Sequence, residues 1–496
     1  MGSSRKIASG VVWSTLVNIV NAVYGFISVP ILINYFGKAE YGIIGLAMSI
    51  NVYMQLMDLG FNATNVRFFS RWLAKKDNGY TAKLFQTSLA FYGVVGILNA
   101  IILLGVSFYT PELFNLSAEQ DRILKNLLYI LAVSAVISWF ISCFTQLISA
   151  TENVAWIQKC TLFAKLLQLA VLFVTVYGRL NIIWYFLLTT FSLFAVIPFY
   201  VRKIRKDTPF VNFRPKFDLP VLKKILPYSL NIFSFSIFQF SFYNLRPVFL
   251  GIQGTVESVA DYRVLNGIIT VVSIFGGSFM GVLLPSASKA VAMHNREAYY
   301  KIAYDGTKYI CIVLCFCCFG MMTVGAEVLE LYVGKSFLYL LPWLNIWLLC
   351  TLGVHNQAIS SLILSGSDIR AITYNTVCAS LTGLVLSWLL IPEYQIGGVV
   401  IAFVIYLLMQ YVFYYFYYWR KKMNINSWRV FYYSFIPYVL LGFSVCLILN
   451  RLVPEMSSPL ESCLLKGCCF AIVYGIGVWF LLNKEDKRYF HSLLCR

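Results

Sequence analysis

Residues 235–251 read FSIFQFSFYNLRPVFLG. The first eleven are aromatic, aliphatic or uncharged polar residues, as in a helix that faces lipid. Then come Arg246 and, at once, Pro247. A guanidinium inside such a stretch is costly in hydrocarbon, so its presence asks for a partner or a task. The same texture runs through the whole chain. Of 496 residues, 59% are hydrophobic and 12% charged, whereas a soluble domain carries about 25% charged residues. Apolar runs of roughly 20 residues recur from end to end, each long enough to cross a bilayer. The chain therefore reads as an all-α polytopic membrane protein.

Counting apolar runs gives about 14 transmembrane helices. They lie near 8–34, 41–61, 84–108, 123–148, 157–177, 180–201, 225–250, 258–285, 302–325, 337–364, 371–391, 396–419, 430–450 and 460–482. The first follows Arg5 and Lys6 with no small-residue cleavage site, and is read as a retained helix. The net charge of +18 sits mainly in the short stretches between runs. Arg67, Arg71, Lys75, Lys76 and Lys83 follow the second run, and Arg202 to Lys224 follow the sixth. This asymmetry places both termini in the cytoplasm. It is not a nucleic-acid footprint, which would need a basic face on a soluble module. The external loops are short, leaving little room for a catalytic domain. The 13 cysteines read as small buried hydrophobes; no cofactor and no metal site are expected.

Two segments repeat across the basic middle loop. LISATENVAWIQK begins at Leu147 and LILSGSDIRAITYN at Leu362, aligning Ser149 with Ser365 and Glu152 with Asp368. The offset spans six helices, so the two copies share an orientation. That is a parallel repeat about an axis along the membrane normal. The expected organisation is an N-terminal six-helix lobe at 1–201, a basic linker at 202–224, a second six-helix lobe at 225–422, and an extra helix pair with tail at 423–496.

Polar residues inside membrane helices are expensive, so their angular position reports what they face. Stepping 100° per residue, Ser14, Asn18, Asn21 and Ser28 share a sector of the first span. Asn51, Gln55, Asp58, Asn62 and Asn65 share one in the second. Ser229, Ser236, Gln239, Tyr243 and Arg246 do so in the seventh, and Asn266, Thr270, Ser273 and Gly277 in the eighth. These are equivalent helices of the two repeats, and the stripes point to a polar cavity between lobes. The alternative is interhelical hydrogen bonding. Arg246 and Arg263 fall near the external side, and Lys165 and Lys308 lie part-way in from the cytoplasm. Each is an anion-site candidate or a snorkelling anchor. Asp58 is the one acid well inside a span. It is the candidate for coupling to a proton or sodium ion, against a structural role at the helix end.

RKIASGVVWSTLVNIVNAVYGFISVPIL at 5–32, FGKAEYGIIGLAMSI at 36–50, MDLGFNATNVRFFSRWLA at 57–74 and the SGSDIRA turn at 365–371 together resemble Wzx-type oligosaccharide flippases. These belong to the multidrug/oligosaccharidyl-lipid/polysaccharide exporter superfamily. The resemblance implies two six-helix lobes around a central cavity. It implies a flippase that moves an undecaprenyl-diphosphate-linked oligosaccharide from the cytoplasmic to the periplasmic leaflet of the bacterial inner membrane. It also implies a lipid-diphosphate-linked glycan as partner, with other polysaccharide assembly proteins beside it. The chain departs from the pattern in span seven, where members often carry an acid and this sequence reads Tyr243, Asn244, Leu245, Arg246. Two other functions compete: a cation-coupled small-molecule exporter, which should have more buried acids, and a membrane polysaccharide polymerase or ligase, which should have a large external loop.

Overall fold

The computed structural model describes residues 2–114, 116–366, 370–453, 456, 458–483 and 486–487; within these, side chains of parts of the first, seventh and eighth expected spans are left undescribed. Every regular element among the described residues is helical. In lipid a chain must satisfy its own backbone polar groups, and the helix does so within one segment.

Two compact units are distinguished: residues up to Arg263 with Ile391–Gln395, and Val264–Leu390 with the residues from Ile396 onward. The first holds α1 (Gly2–Phe36), α2 (Lys38–Tyr53), α3 (Phe61–Ala74), α4 (Asn78–Phe108) and α5 (Ala118–Ala150). It continues with α6 (Val154–Tyr177), α7 (Ile182–Asp207), α8 (Leu219–Asn244), α9 (Arg246–Gln253) and the first turns of α10 (Val256–Ala292). The second holds the rest of α10 and then α11 (Arg296–Thr323), α12 (Gly325–Val333) and α13 (Lys335–Ile363). Most of α14 (Arg370–Tyr394), α15 (Ile396–Lys422), α16 (Ser427–Leu452) and α17 (Pro459–Leu481) complete it.

Eleven helices among the described residues are long and apolar enough to cross a membrane, fewer than the expected 14. The three expected spans outside that set are 41–61, 225–250 and 258–285. All three are helical; 225–250 and 258–285 run over residues whose side chains are undescribed, and 41–61 and 225–250 are interrupted. The second span stops as α2 at Tyr53, makes a 3-10 turn over Met54–Asp58, and passes through Leu59 (φ 48°) and Gly60 (φ 76°) before α3 begins. Glycine accepts the left-handed region freely, whereas Leu59 is strained by roughly 1–2 kcal/mol. Ser229 of α8, fully buried, donates to the Leu59 carbonyl and holds the turn. The seventh span breaks at Leu245, one residue before Arg246, with Pro247 in the first turn of α9, where its missing N–H costs nothing.

The first unit is cored by Phe61, Phe69, Trp72, Leu84, Phe85, Tyr92, Phe144, Ile204 and Ile225 among others. The basic stretch 202–224 is tied to this core. Phe213 meets Phe85 and Phe144 edge-on at 5.5 and 5.8 Å, and the Asp218 amide donates to Thr87 at 3.2 Å. Outward faces carry Ile97, Ile101, Val133, Leu389, Leu408 and Val412, all exposed. Apolar surface on that scale needs lipid. Of the repeat, Glu152 adopts φ 60° in the first turn; Asp368 of the second, the side chains of Ser365 and Ser236, and the surroundings of Gly277 lie outside what is described.

Candidate functional site

The break after Asp58 makes a site. A cavity of about 380 Å³ inside the first unit is lined by Asn51, Gln55, Asp58, Asn62, Asn99, Ala135, Ser138, Trp139, Ser142 and Phe240. Gln55 and Asp58, in the 3-10 turn, stay on the side that Asn51 presents from α2. Asn62, near the start of α3, lines the same cavity beyond the bend at Leu59 and Gly60.

Asp58 Oδ1 accepts from the Tyr92 hydroxyl at 2.6 Å, and Oδ2 accepts from the Asn62 amide at 2.9 Å. The second bond places a carboxylate against the start of α3, where the helix dipole favours it. Tyr92 in turn accepts from Gln146 Nε2 at 2.6 Å, and Asn65 Nδ2 donates to Gln146 Oε1 at 2.9 Å. Among the described residues no lysine or arginine forms an ion pair with Asp58. Arg67 instead lies over the Tyr228 ring at 4.2 Å.

The cationic candidates occupy other places. Arg263 stacks over Tyr41 at 4.8 Å, and its stem runs along Gly45, where a Cβ would stand 2.5 Å from Arg263 Cδ. Its Nη1 is buried without a hydrogen-bond partner among the described residues. The hydrogen-bonded pair Tyr24 and Tyr185 lies within its electrostatic reach. Lys165 sits over the same Tyr24 ring at 4.4 Å and donates to Gln168 Oε1 at 2.9 Å. Two cations that the sequence puts at opposite depths thus share one tyrosine cluster. Neither forms an ion pair among the described residues.

Arg246 is buried, 2% exposed, between the rings of Phe242 at 4.3 Å and Tyr243 at 4.9 Å, and it hydrogen bonds to Tyr262. It does not line the Asp58 cavity; from α8 it is Phe240 that does so, while Gln239 is exposed. Asn18 and Asn266 are exposed on their helices, and Asn21 is half-buried. Lys308 is buried in the second unit, paired with Asp486 at 2.8 Å and Asp305 at 3.3 Å and bonded to Tyr433 at 3.1 Å. That environment is a structural ion-pair cluster.

The cavity also contains residues that sequence reasoning passed over: Asn99 on α4, and Ser138, Trp139 and Ser142 on α5. Ser134, Ser138 and Ser142 recur every fourth residue, which is a legible stripe. Asn99 is a lone amide in an apolar run and carries no periodic signal.

The profile of a family described as polysaccharide biosynthesis protein matches residues 7–291. No curated protein matches the chain. Among solved structures, lipid II flippase MurJ in an inward closed conformation is similar over 98% of this chain and 100% of that one, with a TM-score of 0.71 at 13% identity. An inward-facing multidrug resistance MATE family transporter of the MOP superfamily is similar over 87% and 96%, at TM-score 0.61 and 14% identity. The MATE multidrug transporter DinF-BH is similar over 83% and 95%, at TM-score 0.58 and 15% identity. At these identities the likeness is one of fold.

Proposed function

The chain belongs to the polysaccharide biosynthesis protein family, and on that premise we propose that it is a flippase for an undecaprenyl-diphosphate-linked oligosaccharide. It would act in the bacterial inner membrane, with both termini cytoplasmic, carrying its cargo to the periplasmic leaflet by alternating access of the lobes at 1–201 and 225–422. The MurJ-like fold supports transport of a lipid-linked cargo. One observation carries the reading. Among the described residues, Arg263 and Lys165 stand around the Tyr24, Tyr41 and Tyr185 cluster without a carboxylate partner, and Arg263 Nη1 is buried and unbonded. Both cations are half-buried and are met by aromatic rings and a neutral amide, so their partial desolvation costs free energy that an anion would offset. A diphosphate would cancel that cost, with the guanidinium taking two oxygens at once. The prenyl tail stays in lipid, and the sugars need hydrogen-bonding walls to leave water. Arg246, Tyr243 and Gln239 on α8 and α9, Asn18 and Asn21 on α1, and Asn266 on α10 are proposed further contacts. Lys308 is withdrawn to a structural role in this reading.

Asp58 is the proposed coupling group, taking a proton or sodium ion. The test is reconstitution of the full chain in vesicles with a fluorescent undecaprenyl-diphosphate glycan in both leaflets. Externally added reductant should quench nearly all the label when the protein is present and about half when it is absent. Equal quenching in both preparations overturns the reading.

A second reading, a cation-coupled small-molecule exporter, draws on the MATE-like fold and on Asp58. Gradient-dependent efflux of a fluorescent organic cation, with no glycolipid movement, would favour it.

A further inference from the structure

We infer that the Asp58 cavity is a subsite for uncharged sugar, separate from the place that holds the diphosphate. The inference rests on the flippase reading and says where the glycan is recognised. Among the described residues the cavity lining has no lysine, arginine or histidine, and its one charge is negative. A diphosphate entering it would meet repulsion and no compensation. Both oxygens of that carboxylate already accept hydrogen bonds, from Tyr92 and from the Asn62 amide. What remains is amide and hydroxyl. Asn51, Gln55, Asn62 and Asn99 each offer a donor pair and an acceptor, which match adjacent hydroxyls of a pyranose. Trp139 and Phe240 supply apolar surface for the ring C–H groups, while Trp139 is itself held by stacking on Tyr92 at 5.4 Å.

Asn99 gives the independent sign of a ligand. It is 3% exposed, lines the cavity, and its Oδ1 has no hydrogen-bond partner among the described residues. A buried acceptor left unmade is unfavourable; with a small turn of the amide toward the cavity, a sugar hydroxyl would satisfy it. At about 380 Å³ the cavity lies at the lower end of small-molecule sites. It has room for on the order of one or two sugar residues. A whole oligosaccharide would have its remaining sugars elsewhere.

The test uses the full chain in lipid nanodiscs. Two groups of probes are compared: citronellyl diphosphate alone, and the same diphosphate capped with one neutral hexose or N-acetylhexosamine, tried as a panel. At least one capped probe should bind about tenfold more tightly than the bare one, the worth of one good hydrogen bond. Asn99→Leu should abolish that preference and leave affinity for bare citronellyl diphosphate unchanged. If Asn99→Leu fails to fold, Ser142→Leu narrows the cavity from α5 and should give the same loss. A preference that survives a folded variant, or no preference for any capped probe, overturns the sugar subsite while the flippase reading stands. Sodium-dependent binding lost in Asp58→Asn, with no sugar preference, overturns it in favour of a cation site. Failure to bind bare citronellyl diphosphate brings down the flippase reading and this inference with it.

Discussion

Tyr92 donates its hydroxyl to Asp58 across 34 residues of sequence, at 2.6 Å, and is itself fixed by Gln146. The carboxylate therefore sits at the end of a chain of directed hydrogen bonds and faces a polar cavity, with no lysine or arginine paired to it among the described residues. Asp58→Asn keeps an acceptor for Tyr92 but can no longer exchange a proton or hold a cation. If Asp58 couples transport, the variant should express normally and lose most of the dependence of flipping on an imposed proton or sodium gradient. Vesicle transport measured with and without each gradient checks this. Undiminished gradient dependence would return Asp58 to capping α3.

Two glycines of α2 separate stability from activity. A Cβ at Gly42 would stand 2.0 Å from the Val256 backbone oxygen, and one at Gly45 would meet the Arg263 side chain. Backbone cannot yield, whereas an arginine stem can. Gly42→Ala should therefore lower the thermal unfolding midpoint by several degrees, as expected for about 1–3 kcal/mol of overpacking. Gly45→Ala should unfold near the wild-type temperature but flip the diphosphate-linked substrate several-fold more slowly. Loss of stability in both variants, with matching loss of transport, would contradict a separate role for Arg263.

How much of this was legible in sequence depends on the range of the interactions. The all-helical membrane fold follows from composition, because lipid leaves few other solutions. The grouping of Asn51, Gln55 and Asp58 follows from helical phase within one segment, even though the turn at Leu59 and Gly60 interrupts it. Gln239 shares the phase of Arg246, but in the Asp58 cavity it is the neighbouring Phe240 that forms part of the lining. Lys308 shows the limit most clearly. Its depth in the membrane could be counted from the sequence. Its partner Asp486 lies 178 residues away, and no periodicity announces that. The same holds for Glu327 and Lys466, an ion pair joining α12 to α17.

The tail pair gives a pH prediction. Burial raises the proton affinity of the Asp486 carboxyl, but Lys308 and Tyr309 outweigh it, and the group titrates below its ordinary value. A carboxylate depressed in this way stabilises the fold above its unfolded pKa of about 4, and the contribution fades as pH falls through the folded value. Asp486→Asn should cost roughly 1–3 kcal/mol at neutral pH, less than a fully orphaned buried lysine because Asp305 and Tyr433 remain. The difference from wild type should shrink below about pH 4, as followed by thermal unfolding in detergent across pH. A gap that does not narrow in acid would mean that the tail is held by something else.

Arg246 combines the two themes of buried charge and aromatic neighbours. Its guanidinium lies against the rings of Phe242 and Tyr243, bonds to Tyr262, and is 2% exposed. It also opens α9 at the point where α8 breaks before Pro247. A planar cation in such a cage is held by stacking as well as by charge, and lysine lacks the planar stacking surface and the fork of donors. Arg246→Lys should therefore lose stability, by about 1–2 kcal/mol for the weaker fit of an ammonium to the rings and to Tyr262. Arg246→Ala should lose more, about 3–4 kcal/mol, because it also leaves a cavity among Phe242, Tyr243 and Tyr262. Arg246→Met, which fills the volume without charge, decides between the roles. If the residue is a structural pin, Met should recover part of the unfolding temperature and the flipping rate together. If the charge meets the diphosphate during transit, Met should recover stability while flipping of the glycolipid stays several-fold down. Thermal unfolding and vesicle transport on the same preparations separate the two.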